Sequence, residues 1–103
     1  MSGNYQLRLT PQFKADFQAV LRYITIDLSN PIAANALIDE LDDALEQVQI
    51  YPFSTQPFPT KLNRPEVYRA VGVKRYMAFY VVLDGVVEFR RFLYSGSDYA
   101  SRL

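Results

Sequence analysis

The side chains in this sequence with the means to do chemistry are arginine, lysine and tyrosine. They are densest in the run VYRAVGVKRYMAFYVVLDGVVEFRRFLYSGSDY, which holds Arg69, Lys74, Arg75, Arg90, Arg91, Tyr94 and Tyr99. A guanidinium fork matches phosphate or carboxylate geometry, and a phenol donates a proton or stacks on a flat partner. Histidine and cysteine are both absent, which removes Ser-His and Cys-His nucleophile pairs, disulfides and the usual zinc sites. No metal-ligand spacing, glycine-rich phosphate loop or nucleophile elbow is present, so neither a metal nor a cofactor is expected.

Taken one at a time, these residues have ordinary roles. Arg69 on a strand beside a proline-rich loop suits an edge that is kept soluble by charge. Lys74-Arg75 falls in a tight connection, where charges are usually solvated. Arg90 and Arg91 are adjacent in an alternating strand, so they are expected on opposite faces: one paired with a helix carboxylate such as Asp16 or Asp42, the other on an open face.

The elements that must position these groups follow from the pattern. Tyr5 to Leu9 alternates as a strand, with Tyr5, Leu7 and Leu9 inward. Thr10-Pro11 and Ser29-Asn30-Pro31 are helix starts, each pairing a capping side chain with a proline at the first helical position. Phe13, Phe17, Val20, Leu21 and Ile24 form one apolar stripe, and that helix should fade by Leu28-Ser29. Ala34, Leu37, Ile38, Leu41, Leu45 and Val48 form a second stripe on a helix reaching Ile50. Four prolines between Tyr51 and Pro65 break the pattern, and Phe53 and Phe58 are expected to pin this loop to the core.

Three strands follow. Val67 to Val73 places Val67, Arg69, Val71 and Val73 on one face. Arg75 to Leu83 is apolar on both faces and reads as a central strand. Asp84-Gly85 marks a hairpin. Val86 to Tyr94 is expected to put Glu88, Arg90, Phe92 and Tyr94 opposite Val87, Phe89, Arg91 and Leu93. The tail after Ser95 has room for about one helical turn. The order β-α-α-β-β-β predicts a two-layer α+β domain over residues 1–103, an antiparallel sheet on a helical hairpin, with the other sheet face open at least in part.

The chain has 103 residues, enough for one modest core. Its net charge is zero, but the charge is segregated. Residues 1–60 hold three basic and seven acidic side chains, and residues 61–103 hold eight basic and four acidic, so an acidic partner should meet the second half. No stretch is long and apolar enough to span a membrane and no signal peptide is evident, which points to the cytoplasm.

The order and spacing of YQLRLTPQFKADFQAVLRYI, NPIAANALIDELDDALEQV, VYRAVGV and RYMAFYVVLDGVVEFRRFLYSGSDY resemble the RelE/ParE superfamily of toxins from type II toxin–antitoxin systems. The resemblance spans nearly the whole chain. It implies the same α+β fold, growth inhibition, a small acidic antitoxin as partner in a hetero-oligomer, and one of two targets: mRNA on the ribosome or DNA gyrase. For a RelE-like endoribonuclease it implies catalytic roles for Arg69 and Tyr99. Such nucleases carry an arginine after the tyrosine at Tyr76, where this chain has Met77. They also carry a basic residue just past the last strand, where this chain has Ser95-Gly96-Ser97. Arg75, Arg90 and Arg91 remain to fill that space. For a toxin that binds its target, the resemblance leaves Arg69, Lys74, Arg75, Arg90, Arg91 and Tyr94 to meet target or antitoxin. The departures favour the gyrase-type binder over the ribonuclease, and an inactive antitoxin-binding fold is the third reading.

Overall fold

A computed structural model describes residues 5–58, 66–99 and 102–103. Strand β1 (Gln6–Leu9) leads into helix α1 (Pro11–Arg22), a π-helical turn (Tyr23–Asp27) and helix α2 (Pro31–Ile50). Strands β2 (Tyr68–Val73), β3 (Tyr76–Leu83) and β4 (Val86–Tyr94) complete the order expected from the sequence. Both helix starts form as their residues dictate. Thr10 Oγ1 accepts the Phe13 N–H at 3.1 Å and Asn30 Oδ1 accepts the Ala33 N–H at 3.1 Å, each ahead of a proline that has no N–H to lose.

The sheet order is β1-β4-β3-β2. The three later strands form an antiparallel meander, but β1 lies parallel to β4, pairing Gln6 with Val86 and Leu9 with Phe89. The sheet is therefore mixed and not wholly antiparallel. Hairpins fix the direction of β2, β3 and β4; β1 meets β4 through no hairpin, so turn geometry leaves its direction free. Gly85 in the β3–β4 turn has φ 68°, a backbone conformation that glycine enters without penalty, as Asp84-Gly85 promised.

Both helices cover one face of the sheet. Phe13, Leu37, Leu41 and Val48 bury against Val73, Tyr80, Phe89 and Phe92. Helix α2 contacts β2 and β1, the two opposite edges. Its C-terminal end is tied to the strand start, where Tyr5 N–H donates to Gln49 O and Gln49 Nε2 donates to Tyr5 O. Leu7 and Ile38, expected inward, sit at the rim, 37% and 36% exposed.

The expected faces of the last strand are overturned by a bulge. Phe79 pairs with Arg91 and Tyr80 pairs with Phe89, which leaves Arg90 as an extra residue in β4. Phe92 thereby joins Phe89 in the helix-side core, and Leu93 turns to the opposite face. Burial of both phenylalanines, three positions apart, is the reason: a regular strand puts residues three apart on opposite faces. The backbone groups at the bulge stay satisfied because Thr10 N–H donates to Phe89 O at 3.0 Å and Thr10 Oγ1 donates to Arg90 O at 3.3 Å.

The second sheet face is not open over its middle. Tyr68, Phe79, Val81 and Leu93 are buried there beneath Phe58, Tyr99 and Leu103. Phe58 and Tyr99 each meet Phe79 edge-on, with centroids 5.1 and 4.9 Å away. Phe58 thus pins its loop as expected, whereas Phe53 remains 59% exposed, touching Tyr5 and Arg69. The remainder of the proline-rich loop, residues 59–65, lies outside the described residues.

Candidate functional site

The seven residues singled out by the sequence fall into four places. Arg69 lies on the helix-covered side of β2, not on the face that holds Tyr99. Its Nη1 donates to Thr55 O, and its guanidinium stands over the Phe53 ring at 5.0 Å. Tyr80, fully buried next to it, donates to Pro52 O at 2.9 Å and shares a 2.7 Å hydrogen bond with Thr55 Oγ1. Arg69 and Tyr80 together latch the loop after α2 onto the sheet.

Arg90 lies on the opposite face. Its Nε donates to Glu88 at 2.8 Å, its Nη1 reaches the Tyr68 hydroxyl at 3.3 Å, and Glu66 approaches at 3.4 Å. Burial disfavours its charge, but the hydrogen bonds to Tyr68, Glu88 and Glu66 outweigh that and raise its pKa further. Glu88 also accepts from Arg8 at 2.9 Å; this bond, opposed by burial and helped by Arg90, holds its carboxyl below the ordinary value.

Arg91 pairs with Asp16 of α1, Nε to Oδ2 at 2.8 Å, as one of the two adjacent arginines was expected to do. It also donates to Arg102 O at 2.7 Å, tying down the tail. Tyr99 is packed between Phe58 and Phe79, and burial raises its pKa, so its phenol stays protonated at neutral pH. Arg69 and Tyr99, paired as nuclease candidates, stand on opposite faces of the sheet.

Lys74, Arg75 and Tyr94 are the candidates that the fold does bring together. The β2–β3 turn and the end of β4 face the π-helical turn and the start of α2 across a groove of about 790 Å³. Lys74, at φ 56°, and Arg75 are exposed on its rim, and neither forms an ion pair among the described residues. Tyr94 meets Tyr76 edge-on at 5.8 Å, and Tyr76 stacks on Phe92 at 5.1 Å. Burial, with Tyr23 and Tyr94 adding to it, raises the Tyr76 pKa. Gly96 has a local reason: a Cβ there would stand 2.9 Å from Tyr94 Cε2, so glycine lets this ring fold back over the turn.

Sequence reading missed Tyr23, Leu28 and Tyr76 as parts of this surface. A signal for one of them was present: Tyr23 is apolar but lies off the helical stripe, whereas Leu28, four residues past Ile24, continues the stripe by spacing and leaves it only because the π-helical turn breaks the phase. Tyr23 and Leu28 are 50% and 53% exposed. Met77 lies on the far face of β3, packed against the second core, and Ser95-Gly96-Ser97 forms the turn past β4. Neither position supplies a cation. Among the described residues no cluster of carboxylates could hold a metal, and no helix is long and apolar enough to cross a membrane.

Comparison with known proteins follows the fold. A structure described as the chromosomal ParDE TA system from P. aeruginosa matches with a TM-score of 0.71 at 17% identity, over 90% of this chain and 98% of that one. A chain of a structure described as the E. coli DinJ-YafQ toxin-antitoxin complex matches with a TM-score of 0.55 at 14% identity, over 93% and 98%. A copper-bound mutant toxin from Helicobacter pylori matches at 0.53 and 20%, over 87% and 93%. No curated protein matches the sequence. The family described as the ParE toxin of type II toxin-antitoxin systems, parDE, matches residues 7–99. With nine-tenths of its length inside that match, the chain belongs to the ParE toxin family.

Proposed function

We propose that this toxin stops growth by binding a protein target, with DNA gyrase as the expected one, and that a cognate antitoxin neutralises it by covering it. One observation carries the preference for binding over RNA cleavage: each of the sheet arginines Arg69, Arg90 and Arg91 is occupied by acceptors of its own chain. Cleaving RNA requires a group that activates the 2′-hydroxyl and free cations that steady the phosphorane. An arginine already held by Glu88 and Glu66, or by Asp16, would first have to give up those pairs. The phenol of Tyr99 is packed among rings on the other side of the sheet from Arg69. The antitoxin partner is supported by the toxin–antitoxin systems named in the descriptions of two similar structures.

The test gives the purified protein two substrates. On supercoiled plasmid it is expected to inhibit gyrase or trap it on DNA; in a translating extract it is expected to leave mRNA intact. Codon-positioned mRNA cuts that vanish in Arg69→Ala would sink the gyrase reading. Normal growth at full soluble expression would favour the inactive antitoxin-binding fold instead.

A further inference from the structure

We infer that the groove between the β2–β3 turn and the π-helical turn is the surface on which this toxin holds its protein target, through an acidic segment that inserts an apolar side chain. The inference rests on the binding function proposed above and adds the place and chemistry of contact.

A binder needs apolar surface to desolvate and charge that is not already spent. The groove has both. Ile24, Leu28 and Leu37 give it aliphatic walls, and Tyr76 and Tyr94 close the other side. Half-exposed Leu28 and Tyr94 bring apolar surface to its mouth, and Ile26, 61% exposed, adjoins it through Tyr23, which lines both surfaces. This is a cluster of large apolar side chains, not the scattered exposure that any monomer shows. Tyr23 continues the surface onto the end of α1, where Arg22 and Asp27 offset one another, so the net positive charge at the groove is that of Lys74 and Arg75.

Charge selects the occupant. Among the described residues Lys74 and Arg75 stand on the rim without an ion-paired carboxylate, in contrast to Arg90 and Arg91, whose acids are built in. The acidic residues of α2, from Asp39 to Glu46, lie further along that helix and repel an acidic segment from the rest of it. Such a segment is therefore steered to the basic end. Aliphatic walls favour a peptide over nucleic acid, whose bases would seek open ring faces and a longer cationic track.

The π-helical turn presents the exposed side. Its wider winding carries Tyr23 and Ile26 outward while Ile24 stays in the core at 8% exposure. Helix, turn and strand contribute from three separate segments, so the groove exists only in the folded chain.

The test uses the full chain and purified gyrase, with growth arrest in cells as a second readout. Lys74→Glu/Arg75→Glu and Leu28→Asp change exposed residues, and a circular dichroism melt confirms that each variant folds. Lys14→Glu, an exposed cation on α1 outside the groove, is the control. The double variant is expected to need about tenfold more protein for the same gyrase inhibition, and Lys14→Glu no more than wild type. Equal inhibition by wild type and both groove variants overturns the inference and leaves the gyrase reading standing. If wild type arrests growth without touching gyrase, that target is wrong. The groove is then upheld by variants that no longer arrest growth at equal soluble level, and overturned by variants that still do. Variants that arrest growth fully but escape the antitoxin also overturn it, by assigning the groove to the antitoxin. Loss of binding to a single-stranded oligonucleotide, with gyrase inhibition unchanged, overturns it in favour of nucleic acid.

Discussion

Asp16 and Arg91 join the first helix to the last strand through one carboxylate. Oδ2 of Asp16 accepts the Arg91 Nε at 2.8 Å and the Phe92 backbone N–H at 3.0 Å, and Oδ1 accepts from Gln12 at 2.9 Å. Strand β1 pairs β4 only as far as Phe89, so beyond it the β4 edge lacks a strand partner. Asp16 supplies the acceptor that a strand would have supplied, next to the bulge that Thr10 supports from the same helix end.

Removing this carboxylate should therefore cost more than a surface ion pair. Asp16→Ala is expected to destabilise the fold by about 2–4 kcal/mol, because the Arg91 guanidinium and a strand N–H lose their acceptor together. Chemical denaturation of wild type and variant measures it; a loss comparable to that of an exposed pair would show that water replaces the carboxylate.

Acid should weaken the fold through the same residue. Burial opposes ionisation of Asp16, but hydrogen bonds from Arg91, the Phe92 N–H and Gln12 outweigh it and hold the carboxyl below its ordinary value of 3.8. Glu88 is likewise held below 4.5, chiefly by Arg8. A carboxylate whose folded pKa is depressed stabilises fully above its unfolded pKa, and that contribution is lost as pH falls through the folded value. The unfolding midpoint should stay level near neutrality and drop below about pH 4. Asp16→Asn should begin less stable at neutral pH and show a shallower acid slope.

Tyr80→Phe tests the loop latch. The phenol reaches both Thr55 and Pro52 from a fully buried ring, and Phe keeps the ring. The expected loss is about 1–2 kcal/mol, with faster amide exchange at residues 53–58 than at α2. Arg69→Ala should loosen the same loop and leave gyrase inhibition within about threefold of wild type, since the groove is elsewhere.

The bulge makes an unusual prediction about chain length. Deleting one of the two adjacent arginines leaves Phe89-Arg-Phe92, which alternates regularly and keeps both phenylalanines on the helix side. The shortened chain should fold with the Tyr80–Phe89 and Ala78–Phe92 pairings intact, losing the Arg90 contacts at a cost of roughly 1–3 kcal/mol. Cross-strand nuclear Overhauser contacts decide it: inversion of Phe92 and Leu93 would show that the second arginine, and not core burial, sets the register.

Much of the architecture was legible in the sequence because local chemistry fixes it. Capping residues followed by proline start both helices, Asp84-Gly85 turns the hairpin, and β3 is apolar on both faces because it is central. The halves of opposite charge, the absence of histidine and cysteine, and the kinship with ParE toxins were equally open to reading. What only the tertiary structure decided were the matters set by competition between distant segments. Whether β1 runs parallel to β4, whether Phe58 and Tyr99 cover the second face, and where the extra residue of β4 goes all depend on which apolar side chains find burial together. The candidate site divides for the same reason. Arg69 is drawn to Thr55, Arg90 to Glu88 and Glu66, and Arg91 to Asp16, partners 14 to 75 positions away in most cases. Lys74 and Arg75 have no such partner among the described carboxylates, and a tight turn places their charge beside Tyr94 and Leu28, residues that the linear order keeps far apart.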